Sequence, residues 1–294
     1  MGMNTRVTAR HAGKSKITIL NSELFGVPWL VHGFSTRLGG HSAPYGGSSL
    51  NLGFTKDDKR AVVERNRDEF MRALGVGSAH WRLATQRQIH SDLIHYVSGA
   101  DVHPAGDGLI TDVPGLLLGV QTADCLPILL VDTKRRAVGA FHAGWRGTLR
   151  RIVEKGVGEM RRKFGSDPGD LRAAIGPGIH SCCYQVGEEV REKFQSQFAY
   201  AAEFFREVRE SNPVHEKYPL LFLTARAPGH GPEETLLYLD LVGANTRQLL
   251  AAGVPAAKIS ASPLCTSCRT DLLFSYRKEN GVVGRMLSVV GIRP

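Results

Sequence analysis

The sequence predicts an α+β sandwich. Three observations lead there. Stretches with helical and with strand periodicity follow one another without the strict strand–helix–strand alternation of a parallel fold. No self-similarity recurs at 20–50 residues, which excludes solenoids and propellers. The 294 residues are 42% hydrophobic and 22% charged, enough for one sizeable core, and no shift in composition divides them.

Residues 1–20 carry Arg6, Arg10, Lys14 and Lys16 without an apolar run. They read as a solvated basic arm, not a secretory signal, ahead of a single domain over residues 21–294. From Val27 to Arg37 the pattern is strand-like, and it runs into a glycine-rich loop, Leu38 to Asn51. Asp58 to Leu74 places Val62, Val63, Phe70, Met71 and Leu74 on one helical stripe. Leu83 to Val97 is extended. Leu116 to Val120 and Ile128 to Val131 are buried strands around a turn at Asp124 to Pro127, and Ala137 to Trp145 is a strand rich in small residues.

Leu149, Ile152, Val153, Val157, Met160 and Phe164 recur mostly at spacings of three and four, a helix for which Gly147 and Thr148 offer an N-terminal cap. Leu171 to Ile179 is a strand, Leu239 to Leu250 a helix and Met286 to Ile292 a terminal strand. Glu203 to Tyr218 is mostly charged and polar and reads as a surface insertion.

The composition also excludes some functions. A net charge of +9 invites a nucleic-acid partner, but the 37 basic residues are scattered and none is expected. The longest apolar stretch, Gly115 to Val131, is broken by Gln121, Thr122, Asp124 and Pro127, so no membrane partner is expected either. A cytoplasmic location follows, in which the five cysteines serve as thiols, ligands or nucleophiles and not as disulfides. Oligomeric state leaves no mark on the sequence.

Three short segments set metal-ligand residues among small ones: QIH at 88–90, TADC at 122–125 and HAGWRG at 142–147. A thiolate and two imidazoles, from His90, Cys125 and His142, suit a catalytic zinc, because three protein ligands leave a fourth tetrahedral position open. His142 lies 17 residues after Cys125, room for one strand and its return. A lone histidine is more often a satisfied core or surface group and a buried cysteine a space filler. That ordinary role is assigned to His95, five residues after His90, and to His11, His41, His80, His103, His180, His215 and His230.

Longer motifs narrow the choice. HGFSTRLGG at 32–40, SLNLG at 49–53, QTADCLP at 121–127 and HAGWRGT at 142–148 resemble the laccase-domain family. IGP at 175–177, CCYQVG at 182–187, Cys265-Thr266 and FSYR at 274–277 extend the likeness from about Val27 to the C-terminus. The family is also called YfiH-like, polyphenol-oxidase-like or peptidoglycan editing factor. The resemblance implies an α/β/β/α-type sandwich of mixed sheets flanked by helices, with zinc on His90, Cys125 and His142. It further implies purine nucleosides and phosphate as partners: phosphorolysis of adenosine, inosine, guanosine and methylthioadenosine, and deamination of adenosine.

Other residues are candidates on chemical grounds. Zinc lowers the pKa of water to about 7, which suits hydrolytic deamination. Phosphate needs fixed positive charge, for which Arg37 beside Gly39 and Gly40, Arg146 just before a helix, and Arg67 on the first helix are candidates. Asp124, next to Cys125, is placed as a general acid/base or as an orienter of the ligand set. Asn51 is placed on a ribose or as a loop cap.

Three rival functions are weighed. A multicopper laccase needs many imidazoles, typically in His-x-His pairs, and none occurs, so copper on the trio would be incidental. A cysteine hydrolase or deamidase would use Cys125 as nucleophile and His142 as base, but has no need of His90. A binding module without catalysis is the third.

Overall fold

β-Branched and aliphatic runs pair into two six-stranded mixed sheets. The computed structural model describes residues 7–8, 17–77, 80–100, 103–209 and 235–294. Most of the basic arm, with His11, His215 and His230 and the end of the Glu203 to Tyr218 stretch, lies outside them. Two compact units divide the chain: Met1–His180 with Leu241–Pro294, and Ser181–Asp240.

In the larger unit the first sheet runs β1 (Val7–Thr8), β2 (Ile19–Leu20), β3 (Leu30–Ser35), β16 (Met286–Ile292), β8 (Leu116–Thr122) and β5 (Arg82–Ala84). All neighbours are antiparallel except β5 and β8. The second runs β15 (Ile259–Ala261), β11 (Leu171–Ile175), β9 (Leu126–Asp132), β10 (Ala137–Ala143), β7 (Gly108–Thr111) and β6 (Ile94–Tyr96).

Residue parity assigns the faces. Leu116, Leu118 and Val120 of β8 and Val290 and Ile292 of β16 join Leu129 and Val131 of β9 and Val138 and Ala140 of β10 in one buried cluster. That cluster is the interior of a sandwich. On the outer face of the first sheet, Val31, Leu117, Leu287 and Val289 meet Phe70, Ala73 and Leu74 at the end of helix α1 (Arg60–Ala73). Buried Val63, Asn66, Phe70 and Ala73 recur at helical spacing, as the sequence stripe requires.

On the outer face of the second sheet, Phe141 of β10 packs against helix α3 (Ile152–Phe164). Helix α5 (Leu241–Ala251) donates from Asn245 Nδ2 to Thr148 Oγ1 at 2.9 Å and from Gln248 Nε2 to the Thr148 carbonyl at 2.7 Å. Helix, sheet, sheet and helix are thus layered as expected. Among the described residues no helix is long and apolar enough to cross a membrane.

The smaller unit has a three-stranded antiparallel sheet ordered β12 (Gln185–Val186), β14 (Thr235–Leu239) and β13 (Phe205–Arg209), with helix α4 (Glu188–Gln197). Its apolar centre is aromatic: Phe198 lies 5.8 Å from Phe194 and 6.2 Å from Phe204, centroid to centroid. The first half of the stretch read as a surface insertion is therefore strand β13.

Local details differ from the sequence reading. The loop after Arg37 opens with strand β4 (Leu38–Ser42). Gly147 and Thr148 lie inside a short helix, α2 (Trp145–Leu149), and do not cap α3. The break between α2 and α3 falls at Arg151, whose φ of 62° is left-handed. Leu83 to Val97 is not continuously extended, because β5 and β6 flank an irregular segment around His90.

Gly156 fixes the contact between α3 and β10. A Cβ there would lie 2.6 Å from the Phe141 ring, which is wholly buried and has nowhere to retreat. Overpacking of this kind costs about 1–3 kcal/mol. Gly156→Val should therefore lower the urea midpoint at unchanged slope, and an unchanged midpoint would show that the layers have slack.

Candidate metal centre

The register of β9 and β10 delivers two of the three predicted ligands. His142 pairs with Pro127 and Ala143 with Leu126, so Cys125, just before β9, reaches the same end of the hairpin as His142. His90 arrives from the irregular segment after β5. Its nitrogen Nε2 is 4.0 Å from Cys125 Sγ, and the two imidazole rings stand edge to face with centroids 4.9 Å apart. One donor atom from each of the three lies within 4.8 Å of the others.

This donor set fits a tetrahedral cation. Zn–S and Zn–N bonds of 2.3 and about 2.0–2.1 Å put neighbouring donors on the order of 3.5 Å apart. Gly144 makes the approach possible, since a Cβ there would lie 2.8 Å from Cys125 Sγ and 3.3 Å from His90 Cδ2. A glycine in HAGWRG is thus a requirement of the ligand geometry.

The residue that assembles the trio is Asp107, which has no solvent exposure. Its Oδ1 accepts from His142 Nδ1 at 2.7 Å and from the His90 amide at 3.1 Å. Oδ2 accepts from the Ser91 amide at 2.6 Å, Ser91 Oγ at 2.7 Å and the Ile89 amide at 3.2 Å. The Asp107 carbonyl takes the His142 amide at 2.7 Å. With Nδ1 so engaged, His142 presents Nε2 to the site, the carboxylate–histidine arrangement that orients metal-bound imidazoles.

His90 adopts a left-handed backbone, φ 57°, a conformation that the Asp107 bonds to residues 89–91 over-determine. Sequence reasoning missed Asp107. Its one signal is position, between Gly106 and Gly108 at the start of β7, where a short polar residue reads as an ordinary turn.

Electrostatics follow the bonds. Burial raises the Asp107 carboxyl, but bonds from His142 and Ser91 outweigh it and hold the group down to about 2. Burial raises the Cys125 thiol, yet the charge and hydrogen bonds of His142, with His90 helping, bring it down to about 6. Burial lowers the His142 imidazolium, while the Cys125 thiolate and Asp107 push it up to about 9. Without metal and between those values, Cys125 and His142 form a thiolate–imidazolium pair.

Asp124 is also buried and also left-handed, φ 94°. Its Oδ1 accepts from Thr266 Oγ1 at 2.6 Å and Ser275 Oγ at 2.7 Å, and its Oδ2 from the Arg277 amide at 2.7 Å. The carboxylate thereby pins the turn that aims Cys125. Asn51 is wholly buried, with Oδ1 on the Gly53 and Arg285 amides and Nδ2 on Asp58. Arg37 donates to the Thr270 and Tyr45 carbonyls and to Glu279, and stacks 4.6 Å from the Phe274 centroid.

Arg146 is exposed and lies over Trp145 at 4.5 Å. Arg67 gives Nε to the Leu52 carbonyl, while its buried Nη2 has no hydrogen-bond partner among the described residues. The structure thus gathers His90, Cys125 and His142, sets Asp124 beside them, and ties Arg37 and Asn51 into the neighbouring loops. Of the ordinary histidines, His41 meets Glu69, His95 the Ala105 carbonyl and His103 the Thr85 carbonyl.

Comparison with known proteins now has a geometry to stand on. A family model described as multi-copper polyphenol oxidoreductase laccase matches residues 31–293. The chain belongs to this family. It is 36% identical over 279 residues to a purine nucleoside phosphorylase of Deinococcus radiodurans, covering 94% of this chain and 93% of that one. Adenosine deaminase RL5, from an unknown prokaryotic organism, is 34% identical over 84% of this chain and 88% of its own. The crystal structure of YlmD from Geobacillus stearothermophilus superposes with a TM-score of 0.78 at 32% identity, covering 98% of this chain and all of that one (100%).

Two outcomes test the centre, with zinc as the probe ion. Asp107→Asn should weaken zinc binding about 10–100-fold, the usual effect of losing a ligand's carboxylate partner. An unchanged affinity would remove Asp107 from the centre. Calorimetry at pH 7.5 in buffers of different ionisation enthalpy should find about one proton released per zinc, from His142 Nε2, because Cys125 is already a thiolate. Release of none would contradict the ion pair.

Proposed function

We propose that the protein is a zinc-dependent purine nucleoside enzyme that phosphorolyses adenosine, inosine, guanosine and methylthioadenosine and deaminates adenosine. The observation that carries this reading is the two-histidine, one-cysteine donor set built on Asp107, in a chain whose relatives bear the names phosphorylase and deaminase. His90, Cys125 and His142 would hold the ion. Zinc, when bound, supplies Lewis acidity and makes a nucleophile from water near neutral pH. Phosphate needs a cation with donors to spare. Arg146, exposed four residues after His142 and 4.5 Å from the Trp145 ring centroid, is that group; Arg37, which already donates to Thr270, Tyr45 and Glu279, supports the loop instead. Asp124 acts here as a positioning residue for Cys125, since three donors already occupy its carboxylate.

A second reading has its own support. Asp107, His142 and Cys125 are connected in the order of a nucleophile triad, and the thiol is held down to about 6. His90 separates the two readings, because a triad has no use for it.

About one zinc per chain is expected by elemental analysis, with less in His90→Ala, Cys125→Ala and His142→Ala. Inosine cleavage should require phosphate and yield ribose 1-phosphate, whereas adenosine deamination should proceed without it. Arg146→Ala should cost phosphorolysis on the order of 1.5–3 kcal/mol, the worth of a charged hydrogen bond, and deamination less. Chromatography of bases and ribose phosphate decides this. Full nucleoside turnover in zinc-free His90→Ala would sink the metal reading, and copper loading should leave phenol oxidation slow.

A further inference from the structure

Of the three donors His90 is the most exposed; Cys125 is half-buried and His142 buried. Packing therefore does little to aim its ring, and the backbone that carries it must. The register of β9 and β10 fixes Cys125 against His142, and Asp107 fixes His90 against His142. The distance from His90 to Cys125 needs an anchor of its own, because a segment held from one side can pivot.

The path of the chain locates that anchor. In the first sheet β5 pairs with β8 as far as Ala84, opposite Leu118. By Arg87 the backbone has crossed towards the second sheet. The Arg87 amide donates to the Pro104 carbonyl at 3.0 Å and its carbonyl accepts from the Gly106 amide at 3.1 Å, just ahead of β7. Had β5 kept its register, Arg87 would face Gln121 of β8. The backbone has left that position, and the side chain of Gln88 takes it.

Gln88 Nε2 donates to the Gln121 carbonyl at 2.7 Å, and Gln88 Oε1 accepts from the Gln121 amide at 2.7 Å. A carboxamide carries a donor beside an acceptor, so it satisfies both groups of one backbone residue where the ladder ends. Gln121 lies four residues before Cys125. The segment bearing His90 is thus tied through Gln88 to the strand that leads into Cys125, and through Asp107 to His142.

We propose that Gln88 is a positioning residue of the metal centre, whose amide sets the distance from His90 to Cys125 as Asp107 sets that from His90 to His142. This role rests on the metal reading above. It is indirect, since the amide is committed to Gln121 and acts through His90.

Zinc affinity of the full chain, measured by competition with a chromophoric chelator, tests it. Gln88→Met keeps the length of the side chain and removes the amide. It should bind zinc about 10–100-fold more weakly than the parent, the usual effect of losing a group that supports a ligand. In a His90→Ala background the same change should cost less than about twofold, because the residue it positions is gone.

Hydrogen exchange on the metal-free protein keeps this role separate from the metal reading. The Ile89, His90 and Ser91 amides, which donate to Asp107, should exchange roughly tenfold faster or more in Gln88→Met, while β9 and β10 keep the protection of the parent. A parent that takes up no zinc would remove the metal reading, and exchange at residues 89–91 would still show whether Gln88 anchors His90. Parent-like zinc affinity in Gln88→Met, an equal loss in the His90→Ala background, or unchanged exchange at residues 89–91 would each overturn the role.

Discussion

Burial of the Asp107 carboxylate is the constraint around which the centre is built. An ionised carboxylate without exposure is tolerated only when its oxygens are saturated with donors. Here five donors do so, and they come from two separate stretches of chain, residues 89–91 and His142. The same bonds that offset desolvation therefore fix the distance between the two histidines. Removing one partner would leave a buried charge short of donors, so the arrangement is all or nothing. The sheets supply the reference frame: Asp107 directly precedes β7, which pairs with β10, the strand that carries His142.

Asp124 repeats the device on the cysteine side. Its carboxylate ties the turn before β9 to Thr266, Ser275 and Arg277, which lie about 150 residues away in sequence. Left-handed backbone at a non-glycine residue is unfavourable, and both His90 and Asp124 adopt it. Each is held there by its own buried carboxylate network. Strain at two ligand-bearing turns is thus balanced by hydrogen bonds made deep in the sandwich, which gives the three donor atoms little freedom to collapse or drift.

Residue types and spacing made the layers and the trio legible. Continuous apolar runs placed the central strands, helical stripes placed α1 and α3, and the gap between Cys125 and His142 matched one hairpin. What stayed hidden was direction. Arg37 and Asn51 sit in glycine-rich motifs and look like ligand-binding groups, but tertiary folding turns their donors onto backbone carbonyls and Asp58. Asp107 looked like a turn residue because its partners are 16 to 35 positions away, beyond any local pattern. The break at Arg151 was invisible for a related reason: the apolar spacing continues across it while the backbone does not.

The charges around His90, Cys125 and His142 suit a divalent cation. Without metal, the Cys125 thiolate and Asp107 carboxylate confront a single positive group, the His142 imidazolium, which its neighbours hold protonated up to about 9. His90, Cys125 and His142 would hold a divalent cation with His142 neutral at Nε2, and the two charges of the ion would then balance the thiolate and the Asp107 carboxylate. Half-buried Cys125 and buried His142 form a pair that keeps the thiol ionised, hence ready to ligate. His90 helps His142 hold the Cys125 thiol down, and as the third donor of the set it would complete a coordination sphere that a thiolate–imidazolium pair alone would leave short.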